Sequence, residues 1–508
     1  MTEKALSIFV RRPRGLRKRA PSIAGVTLDA AQRELVEMPL GKHLLVLGEA
    51  GYGKTTVLVM RLLRLYRRER ELRMVVIVPS EGLQRMLQGT LRKLGVDVLV
   101  ATYDVFARRQ AKRAFAWLPR ESESAPLSVT RLKRHPVMRK ALAILKDREP
   151  GIIDDDADAA RKMRSRFVSR GDLQHLFGDA ALVRNIAAEG RLGERSIGDT
   201  LDRIRVQIGQ TTEDEWSFVE DKSRLRAIDG KRIDEGTATS HADTIDVEDY
   251  AILFELDRLR ADRRGVAPTA LRPYDVIAID EAEELAPLEF ALLGRSLAKA
   301  GTFIVSGDAE QHTDEGSTFG GWDEAIAELG LTNVTRAMLD VGYRCPEDIV
   351  AAARFVRDGR KSEAKGVVRS HQLRRVGFSD EGTLVARLGP EMSSILDHDP
   401  HASIAVLCRK PLRARRLHAA LLPHVPARLV FDGRFLPRGP VQVTTVLDTK
   451  GLEFDYVVVP DASVDEYPVE PSSRRLFYVA LTRARFQVIL AHCSTETALL
   501  SSFEEPRA

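Results

Sequence analysis

Cysteine is scarce in this chain of 508 residues: Cys345, Cys408 and Cys493 lie far apart, with no zinc-like spacing. That excludes a disulfide framework and makes a reducing, intracellular, cytoplasmic setting the expected one. No apolar run is long enough to span a bilayer, and no secretory hydrophobic segment follows the start. Charge of one sign is also lacking. Charged residues make up 30% of the chain, yet the net charge is only +5, so any basic surface is local. A pI of 9.0 permits nucleic acid without demanding it. Internal repeats, low-complexity tracts and long linkers are absent as well. What remains is ample for globular cores, with 44% hydrophobic residues and a length that suggests three or four structural units.

One stretch dominates what is present. Leu44 to Leu47 reads as a buried parallel strand, and Val57, Leu58, Met60 and Leu62 follow as a helix with one buried face. Between them stands Gly48-Glu49-Ala50-Gly51-Tyr52-Gly53-Lys54-Thr55-Thr56, the G-x-x-x-x-G-K-[ST] pattern in strand–loop–helix context. Glycines at 48, 51 and 53 let backbone N–H groups turn toward phosphate oxygens at a helix N-terminus. Lys54 supplies a point charge to the β/γ-phosphates, and the Thr55 hydroxyl suits Mg²⁺. An ordinary glycine turn is the plainer alternative, and full pattern plus context weighs against it. The chain is expected to bind ATP with Mg²⁺.

Residues 1–26, with Arg11, Arg12, Arg14, Arg17, Lys18 and Arg19 broken by Pro13, Gly15 and Pro21, read as a flexible basic arm. Gln32, on a helix ahead of the loop, offers one donor and one acceptor suited to an adenine edge. Strands are expected at Met74–Val78, Val96–Val100 and Val276–Ile279. The interval from Phe106 to Pro273 reads as helical and charge-rich. Its basic clusters (Arg131, Lys133, Arg134; Arg161, Lys162, Arg164, Arg166) are taken as solvated helix faces, and Asp154–Asp156 as a loop. Val276-Ile-Ala-Ile-Asp280-Glu281 ends a buried strand with two carboxylates: Asp280 to hold Mg²⁺ and Glu281 to polarise the attacking water. Gln311, after the strand Phe303–Ser306, is placed to sense the γ-phosphate. A second α/β set begins near Val341, with strands at Ile404–Leu407, Val441–Val446, Tyr456–Val459 and Val488–Leu490. It has no phosphate loop but carries Tyr343-Arg344, Lys450-Gly-Leu-Glu453-Phe454 and Phe477-Tyr-Val-Ala-Leu-Thr-Arg483-Ala-Arg485, which suggests arginines donated across a cleft.

Taken in order, these segments resemble the motifs of UvrD/Rep-type superfamily 1A helicases. GEAGYGKTT matches motif I, IDEAEEL motif II, SGDAEQ motif III, GYRCP motif IV, TKGLEFDYVVV motif V and RRLFYVALTRAR motif VI. Gln32 falls in the Q motif, and Ala101–Phe106 resembles a motif that in the family approaches the nucleic-acid backbone. The resemblance implies an α/β fold of two RecA-like P-loop NTPase domains with ATP between them. Residues 27–105 plus 274–338 would form the first, 339–508 the second, and 106–273 a helical insertion in the first. It further implies that Arg344 and Arg483 reach the γ-phosphate, Tyr343 stacks on adenine and Glu453 contacts the ribose.

Departures from the family are also visible. Glu283 stands where motif II usually has Gln, and Leu447 where motif V usually has His. The base-stacking aromatics after motif III are not at their usual spacing; Phe319 and Trp322 are expected to pack instead. Only Leu-Pro-Arg-Gly-Pro lies between Phe435 and Val441, where the family's 2B subdomain would be inserted. Two functions follow as expectations. The first is an ATP-driven single-stranded DNA translocase of 3′→5′ polarity, acting on single strands or tailed duplex. The second is a HelD-like ATPase that remodels a protein or RNA-polymerase complex.

Overall fold

The computed structural model describes residues 7–11, 28–150, 167–209, 215–216, 219–226, 241–340, 345–359, 372–501 and 503. Tyr343 and Arg344 lie outside the described residues, as do Asp154–Asp156 and the basic cluster from Arg161 to Arg166. The class is mixed α/β with parallel sheets. Short apolar runs give strands β1 (His43–Leu47), β2 (Met74–Val78) and β3 (Leu99–Thr102). Two-residue strands β4 (Arg120–Glu121) and β5 (Thr244–Ile245) pair with each other. Strands β6 (Tyr274–Ile279), β7 (Leu297–Gly307) and β8 (Val334–Met338) complete a six-stranded sheet of order β3-β2-β6-β7-β1-β8. Every pair in it is parallel, with Leu45 opposite Val305 and Val46 opposite Ala337. A parallel sheet covered on both faces needs strands apolar on both sides, and Met74–Val78 is buried at every position.

A second parallel sheet holds β9 (Leu373–Gly377), β10 (Ile404–Cys408), β11 (Ala427–Leu429), β12 (Val441–Thr445), β13 (Phe454–Val459) and β14 (Ala484–His492), in the order β11-β12-β10-β13-β14-β9. Between β3 and β6 the chain forms helices whose apolar faces share one core with the first sheet. Their central member, Glu248–Arg263, is buried all round, as a helix inside a bundle must be. Among the described residues no helix is long and apolar enough to cross a membrane.

Three sequence expectations need correction. The strand expected at Val96–Val100 starts later, at Leu99. Gly95 (φ 73°) ends the preceding helix, and the Val96 amide turns back to the Leu91 carbonyl, so Val96 and Val98 are buried before the ladder begins. The N-terminal arm is not free along its whole length. Ser7–Arg11 packs on the second sheet, with Phe9 4% exposed against Tyr456 and the Val10 amide donating to Gln487 Oε1 at 2.9 Å. Nor are Lys133 and Arg134 solvated. Lys133 is 2% exposed between Asp246 and Asp249, whose charges outweigh burial and raise its pKa. Arg134 pairs with Glu289 and Asp314. Helical spacing alone does not separate a charge that faces water from one that meets a carboxylate far along the chain.

Candidate functional site

The C-terminal edge of a parallel sheet is where loops converge on ligands. In the first sheet, Gly48 follows β1, Ser80 follows β2, Asp280 follows β6 and Asp308 follows β7. The phosphate loop needs its glycines for measurable reasons. Gly53 has φ 89°, and a Cβ there would lie 2.9 Å from Gln32 Nε2. Gln32 is 3% exposed; its amide oxygen caps its own helix at Asp29 N (3.3 Å), while its nitrogen covers the loop. Arg61, fully buried on the helix Lys54–Arg68, donates to the carbonyls of Leu35, Met38, Pro39 and Lys42. It thereby ties the Gln32 helix to the loop's helix. Burial brings its pKa down to about 10.

Lys54 is 6% exposed and donates to Gly48 O (2.7 Å) and Glu49 O (3.2 Å). Thr55 Oγ1 donates to Asp280 Oδ2 at 2.7 Å, and Ser306 Oγ to Asp280 Oδ1 at 2.7 Å. Burial and the neighbouring Glu281 push the Asp280 carboxyl up to about 6. A hydroxyl beside a buried carboxylate with no ion pair among the described residues fits Mg²⁺, a hard cation that keeps several waters and takes one or two protein oxygens. Thr55 and Asp280 would hold it. Glu281 follows in the left-handed region at φ 53°, a conformation costly for a side chain with a Cβ and typical of over-determined sites.

Glu283, the departure from the family's Gln, is fully buried and accepts from the Asp308 amide at 3.0 Å. A Cβ on Gly307 would collide with it and with Trp322. Burial, then the charges of Glu281 and Glu284, hold its carboxyl far above the usual range, which favours its neutral form. A neutral carboxylic acid has one donor and one carbonyl-like acceptor, as an amide does. The substitution thus preserves much of what a glutamine offers.

Two side chains join the sheets at this edge. Gln311, 3% exposed, donates to Asp308 Oδ2 (2.9 Å) and accepts from Arg483 Nη2 (2.7 Å). Arg483, 4% exposed on the second sheet's side, also donates to Val479 O and Leu452 O. Glu453 accepts from Arg485 at 2.9 Å, away from the loop's own hydrogen bonds. Ala50 lines the narrow space between loop and second sheet, and Thr56 is buried beneath it.

A clasp at this cleft escaped sequence reasoning. Arg354 and Arg357, on the helix Glu347–Asp358, both donate to Glu49, at 2.9 and 2.7 Å. Tyr52 joins it, its hydroxyl donating to Glu49 (3.1 Å) and accepting from Arg354 (2.8 Å). The arginines' hydrogen bonds outweigh burial and hold the Glu49 carboxyl below its usual range. The space lined by Glu49, Ala50, Arg354 and Tyr478 measures only about 10 Å³. A three-residue spacing of arginines on a helix beyond GYRCP was the available signal, and it looks like any exposed helix face.

With this geometry in view, comparison with known proteins adds a match over part of the chain. Residues 440–491, from β12 to β14, match the profile of the UvrD-like helicase C-terminal domain. This segment is UvrD-like. The match covers the KGLEFD and YVALTRAR stretches that carry the UvrD/Rep resemblance, and includes Glu453 and Arg483. A solved structure described as the C-terminal domain of a possible DNA helicase from Lactobacillus plantarum WCFS1 is similar at 20% identity. It covers 32% of this chain and 95% of that one, with a TM-score of 0.27, a level that carries no inference about activity. No curated protein matches the chain.

Proposed function

We propose that this UvrD-like chain is an ATP-hydrolysing motor of DNA-helicase type, built from two RecA-like units around the two sheets, with 106–273 inserted in the first. The reading is carried by the bond between Arg483 and Gln311, which links a UvrD-like motif to the sheet edge that holds Lys54, Thr55, Asp280 and Glu281. On ATP binding, Lys54 leaves the Gly48 and Glu49 carbonyls for the β/γ-phosphates. Thr55 and Asp280 would hold Mg²⁺, which would supply charge neutralisation for those phosphates. Glu281 orients and polarises the attacking water. Arg483, joined by Arg344, stabilises charge on the transferring group. Gln311, held between Asp308 and Arg483, conveys the loss of the γ-phosphate to both sheets. Gln32, Tyr343 and Glu453 serve the nucleoside.

Single-stranded DNA is the track this family resemblance implies, with 3′→5′ polarity. The test compares ATP turnover without DNA, with single strands and with blunt duplex over a salt series, followed by displacement of end-blocks from 3′- and 5′-labelled strands. Stimulation by single strands that fades with salt is expected. No stimulation by any single strand overturns the DNA track. A second reading, a motor that remodels a protein complex, is favoured by one observation: the wide groove that crosses both sheets is lined by carboxylates.

A further inference from the structure

The two sheets meet at a second place besides the cleft, and there the backbone sets the spacing. The helix Glu81–Lys93 follows β2 behind its Ser80 cap, and its second residue is Gly82. On helix propensity alone glycine is a poor choice. The neighbours explain it. A Cβ on Gly82 would lie 3.2 Å from Leu452 Cδ1 and 3.3 Å from Phe435 Cδ2, both on the second sheet's side. Gly433, at φ 64°, approaches from that side. A Cβ there would stand 2.8 Å from the Gly82 nitrogen and 3.0 Å from Glu81 Cβ. Gly451 lies against Leu83, whose Cδ2 would be 2.6 Å from a Cβ at that position. A hydrogen bond crosses at the same place, from Arg85 Nη1 to the Asp432 carbonyl at 2.7 Å.

The two joints differ in compliance. At the cleft, Glu49 reaches Arg354 and Arg357, and Gln311 reaches Arg483, through long side chains. Such pairs follow a displacement by changing rotamer. Main chain set against main chain has no such freedom. It can neither come closer nor interdigitate, but it can turn in place. Leu83 is fully buried in the first sheet's core, and Leu452, 5% exposed, belongs to the second's. A push on this contact is therefore passed to both cores.

We propose that the contact of Gly82 with Gly433 and Gly451 is the pivot on which the two sheets turn, fixing their spacing while the cleft side moves. Gly82 and Gly433 are then positioning residues, setting the distance at which Arg483 meets Gln311 and the phosphate loop. The inference deepens the motor reading above and rests on its requirement that the sheets move.

The test compares three alanine variants of the full chain. Gly433→Ala puts a Cβ into the contact, and Gly82→Ala puts one in from the other side while improving a helix. Gly330→Ala is the control. Gly330 has φ 70° and nothing within 4 Å of a Cβ placed on it, so the variant carries like backbone strain without the contact. One readout is ATP turnover, with single-stranded DNA present, over a range of nucleotide concentrations. The other is energy transfer between dyes at E71C and L422C, exposed positions on either side, in a C493S background. It is read with and without a non-hydrolysable ATP analogue. Wild type and Gly330→Ala are expected to turn over ATP alike and to show the same nucleotide-induced change in energy transfer. Gly433→Ala is expected to lose about tenfold in kcat with KM nearly unchanged, and to lose that change. Gly82→Ala is expected to lose severalfold in kcat although its melting temperature equals or exceeds the wild type's. Should Gly433→Ala fail to fold, Gly82→Ala carries the comparison. Wild-type kinetics in both contact variants overturn the proposal. So does a wild type that turns over ATP while its energy transfer ignores nucleotide, a result that leaves the motor standing. A wild type without turnover removes the motor reading instead. A nucleotide-induced change that Gly433→Ala abolishes would then still support the pivot, and its absence would end both.

Discussion

Two regions at the sheet edges are built from the same residue types and treat charge in opposite ways. In the nucleotide cleft, Glu49 meets Arg354 and Arg357, and Gln311 meets Arg483, leaving about 10 Å³ between the walls. In the groove, about 990 Å³ lies open beside Asp104, Glu248 and Asp448, none with an ion pair among the described residues. The boundary between them is one peptide bond wide. Glu283 turns to the Asp308 amide at the cleft, while Glu284 turns to the Thr313 and Asp314 amides and Lys450 at the groove. The cleft is thus held shut by pairs across its walls, and the groove stands open.

The sharpest way to break the comparison is at the cleft's chemical centre. Lys54→Ala removes the cation that would meet the β/γ-phosphates, and ATP turnover is expected to fall below detection. Retained turnover would separate the phosphate loop from catalysis. Arg483→Ala is expected to lower turnover by about a thousandfold, the range of an arginine supplied from a second domain, with nucleotide affinity falling far less. Equal losses in rate and affinity would make Arg483 a ground-state ligand rather than a link between the sheets.

A smaller effect is expected at the clasp. Glu49→Gln keeps the shape and removes the charge that Arg354 and Arg357 hold. The pairs are partly exposed, so about 1 kcal/mol is the scale, and nucleotide should bind about fivefold faster in stopped flow. The pH dependence has a definite sign. Because the Glu49 carboxyl titrates below its usual range, the clasp is intact above the ordinary glutamate pKa and weakens only as pH falls through the depressed value. An association rate equal in both proteins at neutral pH would show that the clasp does not gate the cleft.

The residues that meet at the cleft could be singled out from sequence because each part sits in a short run: Gly48–Thr56, Asp280–Glu281, Gln311 and Arg483 are each flagged by immediate neighbours. The clasp could not. Glu49 and Arg354 are separated by more than half the chain, and a helix arginine carries no local mark of its partner. The groove was hidden for the same reason, since its lining is assembled from segments scattered from Val78 to Lys450. Lys133 shows the converse failure. Its spacing on a helix suggested water, yet Asp246 and Asp249, on distant elements, bury it. Local pattern reports strands, loops and short motifs well, whereas pairing across the fold depends on tertiary contacts that no window contains.

The smallest expected effect lies at the boundary between the regions. If Glu283 is neutral at pH 7, Glu283→Gln exchanges one uncharged acceptor for another of nearly equal shape. Turnover at neutral pH should stay within about twofold, since the Asp308 amide keeps its acceptor. The distinguishing readout is stability against pH. The folded carboxyl titrates far above its unfolded value, so the native state binds an extra proton above the ordinary glutamate range. Wild-type stability should therefore decline as pH rises from there toward the folded pKa, and this contribution vanishes in the Gln variant, which cannot titrate. Melting curves from pH 5 to pH 9 should show the variant gaining on the wild type as pH increases. Parallel curves would mean that Glu283 is ionised in the fold, that Glu281 and Glu284 do not impose neutrality on it, and that cleft and groove share a third negative charge at their border.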